Sequence, residues 1–256
     1  MTDPTNIAAW IPRFIRHLQV ERRSSINTRQ AYETDLRQFA GYLSDSYRID
    51  EATMNHYTRA TVRGFLSYLI KNKAGARTVA RKLAALRSFA RYLLRESAID
   101  LNPTVGIATP KIKRNLPDFL TVDETKALLQ TVDPETSDGL RDLLILELLY
   151  ATGIRVSELT SLCVGDVRMA EGVIRVTGKR RKTRLVPFGE QVRRDLEAFL
   201  QKRAEAEGAA PEFRQQIFVN SKGNPMTRMQ VLAVVKRYVA LVADQKKAHP
   251  HALRHT

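Results

Sequence analysis

Apolar residues at three- and four-residue spacing recur in four successive blocks over the first hundred positions, a period that fits helices and not strands. Residues 6–22 carry Ile7, Trp10, Ile11, Phe14, Ile15 and Leu18. Ser24 and Ser25 interrupt, and 28–47 repeats the pattern with Tyr32, Leu36, Phe39, Ala40 and Leu43. Thr58 fits the N-cap of a third helix holding Val62, Phe65, Leu66 and Leu69. Gly75 separates it from a fourth, over 76–97, with Val79, Leu83, Leu86, Phe89, Ala90, Leu93 and Leu94 facing a core. The other face of that helix carries Arg77, Arg81, Lys82, Arg87, Arg91 and Arg95, with no acid before Glu96 to form i,i+4 pairs. A stripe of this kind is either a solvated face or a contact to a nucleic-acid backbone or groove.

The pattern changes after residue 100. Prolines at 103, 110 and 117, with Lys111, Lys113 and Arg114 among them, read as an extended linker over 101–117. Beyond it, Thr121 and Glu124 have capping-box spacing and open a helix to 131. A buried helix over 137–150 is stopped by Ala151-Thr152-Gly153, and Arg155 opens a short helix, VSELTSL. β-branched pieces at 172–176 and 183–186 flank the basic run GKRRK and predict a hairpin. Helices follow over 189–207 and 227–243, with a third strand at 217–219, a turn at 221–225 and a last helix after Pro250. The expected fold is mainly α in two lobes: four helices over 1–100, a linker over 101–117, and an α+β unit with a small antiparallel sheet over 118–256.

The net charge of +15 is shared, since residues 1–110 hold 17 basic and 9 acidic groups and residues 111–256 hold 25 and 18. Two basic lobes suit a protein that grips a polyanion, DNA or RNA. A single cysteine, Cys163, rules out an intrachain disulfide and a cysteine zinc site, and it is expected to be buried. No apolar run reaches the roughly 18 residues of a membrane span, and residues 1–14 contain no apolar signal core. The expected compartment is the cytoplasm, with no membrane partner.

Transfer of a phosphodiester requires neutralised non-bridging oxygens, an oriented nucleophile and a proton for the leaving oxygen. The chain offers no carboxylate cluster of the kind Mg²⁺ prefers, so no metal or other cofactor is expected. Guanidinium groups can take that role, since each presents a planar, permanently charged fork to two oxygens. Arg155 and Arg254 are the candidate pair; Arg155 also fits a surface arginine beside a glycine helix stop. His251, Arg254 and His255 share one helical face at i, i+3 and i+4, which fits a site or a plain helix start. Lys179, at the hairpin turn, suits a proton donor to the leaving oxygen, because a lysine releases its proton and an arginine does not. Arg180, Arg181, Lys182 and Arg184 read as phosphate contacts, and Glu158, one turn after Arg155, as an orienting acid or a surface ion-pair partner.

TGIRVSEL, GKRRKTRLVP and HALRH occur in this order, and with them the chain resembles the tyrosine site-specific recombinases, most of all their Xer branch. SINTRQAYETDLRQFAGYL resembles the family's four-helix core-binding domain. The resemblance implies catalytic roles for Arg155, Lys179, His251 and Arg254, supported by Glu158 and His255, and DNA contact by Arg77, Arg81, Lys82, Arg87, Arg91 and the hairpin cations. It also implies double-stranded DNA as partner, a homo- or hetero-tetramer on two sites, and a 3′-phosphotyrosyl intermediate serving chromosome-dimer resolution or integration and excision. In the family the nucleophilic tyrosine follows HxLRH. Here the tyrosines stand at 32, 42, 47, 57, 68, 92, 150 and 238, all before His251. Tyr150 and Tyr238 lie in apolar helix patterns and read as core. The expectation is therefore a truncated recombinase, unable to cleave alone. The alternatives are a non-catalytic protein occupying recombination sites, a basic RNA-binding protein, or a monomeric type IB topoisomerase.

Overall fold

Short polar side chains start most of the helices by accepting their free N–H groups. The computed structural model describes residues 5–112, 119–178, 182–207, 212 and 215–243. The chain divides into two compact units, Met1–Arg114 and Asn115–Thr256.

In the first unit α1 (Ile7–Val20) is capped by Asn6, α2 (Ile26–Tyr47) by Ser25 and α3 (Arg59–Lys71) by Thr58, while α4 (Ala76–Arg95) begins after Gly75. Their apolar stripes converge on Phe14, Phe39, Phe65 and Phe89, all fully buried. Phe14 meets Phe89 edge-on at 5.4 Å between centroids, and Phe39 meets Phe65 in the same way at 5.2 Å. Four helices were expected here, and the described residues form four α-helices with a short 3-10 turn at Met54–His56 between the second and third.

The segment expected to be an extended linker is partly built into this unit. Pro103, Thr104 and Ile107 are buried. The Arg59 guanidinium donates to the Val105 carbonyl at 2.6 Å, and Arg87 donates to the Ile107 carbonyl and to Thr109 Oγ1. Gly106, at φ +72°, makes the turn between the clamped carbonyls of Val105 and Ile107. Prolines deny a helix, but they leave a chain free to lie against a surface that satisfies its carbonyls.

In the second unit α5 (Val122–Gln130) has the expected Thr121–Glu124 capping box. The long apolar helix α6 (Ser137–Thr152) runs two residues past its predicted end and stops at Gly153, whose φ of +58° suits a residue without a side chain. α7 (Val156–Leu159) is a single turn, shorter than VSELTSL predicted. Cys163 therefore lies outside any helix and is half-buried, which corrects the expectation of burial.

The sheet is β1 (Val167–Arg168), β2 (Val173–Thr177) and β3 (Thr183–Pro187), antiparallel in that order. The hairpin is as expected, with Thr177 opposite Thr183. The third strand is not at 217–219. Ile217 and Phe218 are buried, yet this stretch makes only isolated bridges, Gln216 to Cys163 and Val219 to Pro225. Pro225 has no N–H with which to extend a ladder. β1 takes the third place, and two residues are too few to display an alternating pattern. Helices α8 (Glu190–Glu207) and α9 (Arg228–Val242) complete the unit. Leu144, Ile145 and Leu148 of α6, Leu196 of α8, Val235 of α9 and Ile174 of β2 share one core. No helix among the described residues is long and apolar enough to cross a membrane.

Candidate active site

Gly153 ends α6 and Arg155 caps the N-terminus of α7, so Arg155 is anchored by the core on one side and open on the other. Glu158 sits at the third position of α7, and its carboxylate accepts the Arg155 backbone N–H at 2.8 Å. The same carboxylate holds the Arg155 side chain, Nη1 to Oε1 at 3.0 Å. From the sheet Arg184 adds a two-pronged contact, Nη1 to Oε1 and Nη2 to Oε2, each 2.9 Å. Glu158 is 3% exposed while Arg155 and Arg184 are 52% and 41% exposed. One buried carboxylate thus fixes two guanidinium groups at the surface and leaves the cluster with one net positive charge.

The paired forks also fix the charge state. The Arg184 hydrogen bonds, then the backbone and side chain of Arg155, hold the Glu158 carboxyl at a pKa of about 2 against the pull of burial. Arg184 is raised above its ordinary value by the same contact. A carboxylate that never protonates near neutral pH is a dependable support for a cation facing a phosphate.

Gly178 closes the ring. Its N–H donates to the Lys182 carbonyl at 2.8 Å across the hairpin end. A Cβ there would lie 3.1 Å from Glu158 Oε1 and 3.4 Å from Arg184 Nη1. A side chain at 178 would press on the cluster and make the Glu158 and Arg184 side chains give by a few tenths of an ångström. Lys179, Arg180, Arg181, His251, Arg254 and His255 lie outside the described residues.

Several expectations need correction. Lys82, expected at a DNA contact, is buried, with Nζ 2.7 Å from Oδ1 of the buried Asp35 on α2. Asp35 also accepts from Arg81, so two cations of the stripe have an acidic partner that comes from another helix. At about 100° per residue Lys82 lies roughly 140° from Arg77, on the side of Val79 and Leu86. That arithmetic was available from the sequence. Arg87 spends its fork on the 107–109 segment. Arg184, expected as a phosphate contact, has both terminal nitrogens on Glu158. It stands opposite Val176, so cross-strand pairing places it on the face of the sheet where its fork meets Glu158. Arg77, Arg91 and Lys182 are exposed as expected. Tyr238 packs partly buried against the core, with its hydroxyl pKa raised by burial and then by Asp142. Tyr150 is half-buried at the end of α6.

The phage integrase family matches residues 118–256, and the phage integrase N-terminal SAM-like domain matches 11–97. The chain is 40% identical over 243 residues to tyrosine recombinase XerC of Pelobacter propionicus, covering 95% of this chain and 78% of that protein. It is 35% identical over 246 residues to tyrosine recombinase XerD of Staphylococcus haemolyticus, covering 96% and 82%. Among solved structures it resembles the XerH site-specific recombinase bound to difH substrate in a pre-cleavage complex. That likeness has a TM-score of 0.75 at 21% identity and covers 100% of this chain and 86% of the other, and it speaks to the fold.

Proposed function

The chain belongs to the phage integrase family, and on that footing we propose that it is a tyrosine recombinase that breaks and rejoins DNA at specific sites. The observation that carries the mechanism is the pair of guanidinium groups fixed by one buried carboxylate at the start of α7.

In the reaction a tyrosine oxygen attacks the scissile phosphorus and loses its proton. The bond from phosphorus to the 5′ oxygen breaks, leaving a 3′-phosphotyrosyl link and a free 5′ hydroxyl. The covalent link conserves the phosphodiester energy, so rejoining needs no nucleotide. Arg155 and Arg254 neutralise the non-bridging oxygens, and a fixed cation does so without reorganising as charge builds. Glu158 is a positioning residue: it holds Arg155 in one rotamer and carries Arg184 on its other side. Lys179 protonates the leaving 5′ oxygen, a contribution of typically ~10²–10⁴-fold for a general acid. His251 completes the phosphate-facing group, with His255 beside it. Arg77, Arg81 and Arg91 of α4, with Arg180, Arg181 and Lys182 of the hairpin, contact the duplex. In this reading both units grip the same DNA. The protein works in the cytoplasm as a homo- or hetero-tetramer on two DNA sites, in chromosome-dimer resolution or integration and excision. All eight tyrosines of the 256 residues precede His251, so these residues alone form no covalent DNA adduct.

Titrating a 30-base-pair duplex and an RNA hairpin of equal charge against the chain at rising salt tests the binding. The expected logarithmic slope is about −0.9 per phosphate neutralised, with several phosphates engaged and DNA preferred. A flat response, or tighter RNA binding, would overturn the reading.

A further inference from the structure

Asp35 is 2% exposed and lies in the middle of α2, where an unpaired carboxylate is not tolerated. Lys82 is 6% exposed and reaches it from α4 at 2.7 Å. Those two charges already cancel inside the unit. Arg81 nevertheless joins the same carboxylate through its other oxygen, while its own side chain stays 43% exposed. The guanidinium is therefore surplus to the needs of the core: its direction is fixed by Asp35, and the cluster still carries one positive charge at the seam of α2 and α4.

Position matters as much as charge. Arg77, Arg81, Ala84, Ser88 and Arg91 follow one another on the outer face of α4, and the small residues Ala84 and Ser88 leave that face open to close approach. Across the seam, Gln38 is exposed three residues after Asp35 on α2. A guanidinium oriented by a buried partner is suited to reading a base edge, where bidentate geometry discriminates, and a freely mobile cation is suited to phosphate, where it does not.

We infer that Asp35 is a specificity-determining positioning residue: through the Lys82-balanced carboxylate it holds Arg81 as a fixed base-reading fork at the α2–α4 seam. This rests on the proposed reading of the chain as a DNA recombinase. Asp35→Asn alone strands the Lys82 charge and endangers the fold. The double variant Asp35→Asn/Lys82→Met removes one charge of each sign and keeps the buried volume. Arg81→Lys keeps the surface charge and removes the fork without touching the core.

The experiment equilibrates each full chain with a pool of random 30-base-pair duplexes, sequences the bound fraction, and measures the salt slope on the unselected pool. Thermal unfolding reports folding. The wild type is expected to enrich a motif containing a guanine. Both Asp35→Asn/Lys82→Met and Arg81→Lys are expected to lose roughly tenfold of the preference at that position alone, with the wild-type salt slope. Arg81→Ala is expected to lose the same preference and to weaken binding to the selected motif more than to the unselected pool. Retention of the full motif by Arg81→Lys, or by a folded double variant, overturns the inference, as does uniform weakening across all sequences. Absence of salt-dependent duplex binding by the wild type overturns the recombinase reading, and this inference with it.

Discussion

Two buried glutamates of the second unit have opposite electrostatics, because one faces cations and the other an acid. Glu158 sits between Arg155 and Arg184, and its pKa falls to about 2. Its folded value lies below the ordinary 4.5, so its contribution to stability is present above pH 4.5 and is lost as the pH falls towards 2. Glu158→Gln is expected to destabilise the chain by on the order of 3 kcal/mol at pH 7, with the gap closing across that acid window. Urea unfolding at pH 7, 4.5 and 3 measures it, and an equal gap at all three pH values would refute the assignment. Glu147, on α6, is 8% exposed and shares a hydrogen bond with Asp195 on α8, which requires a proton between them. Its second oxygen finds no partner among the described residues. Burial, then Asp195, raises its pKa to about 8. Here the folded state holds the extra proton, so stability falls as the pH rises from 4.5 to about 8 and levels off above. Glu147→Gln is expected to match the wild type near pH 4.5 and to exceed it by a few kcal/mol, on the order of 2–4, at pH 8.5. Equal stability of the two proteins at pH 8.5 would count against the shared proton. Neither glutamate's surroundings were legible from local sequence. The spacing of Arg155 and Glu158 was visible, but Arg184 and Asp195 come from elements far along the chain.

At the scale of elements, every long helix was legible, because each has an apolar stripe, and most also a capping side chain, set by neighbours within a few positions. The hairpin was legible for the same reason, through Ile174 and Val176 alternating with Arg175 and Thr177. What was not legible were features set by distant contacts: the pairing of β1, the ion pair of Arg184 with Glu158, and the docking of residues 101–109. That docked segment makes a prediction. Gly106 has φ +72°, and a Cβ there would come within 2.0 Å of the Arg59 Nη2 that binds Val105. Gly106→Ala is therefore expected to displace the clamp and to cost about 1–3 kcal/mol in the first unit. Hydrogen exchange and limited proteolysis should both show residues 101–112 opening while the four helices stay protected. Unchanged protection of Ile107 would show that the segment does not depend on the glycine turn.

The whole chain is two units, each with its own buried core and each basic, and the three family motifs fall in the second. The order TGIRVSEL, GKRRKTRLVP and HALRH made the family legible. Of the four positions proposed as catalytic, Arg155 is among the described residues, where the buried Glu158 holds it. On the proposed reading, this arrangement cleaves DNA once a tyrosine is supplied behind HxLRH. The direct measurement uses a nicked suicide duplex and denaturing gels with three proteins: the 256-residue chain, a fusion carrying the C-terminal segment of the Pelobacter propionicus relative after Thr256, and the same fusion with Arg155→Ala. The expected results are no adduct from the chain alone, a DNA-linked band from the fusion that maps to the added tyrosine, and cleavage slowed by roughly 10²–10³-fold in the Arg155→Ala fusion. An adduct mapping to Tyr150 or Tyr238, or undiminished cleavage without Arg155, would overturn the proposed mechanism.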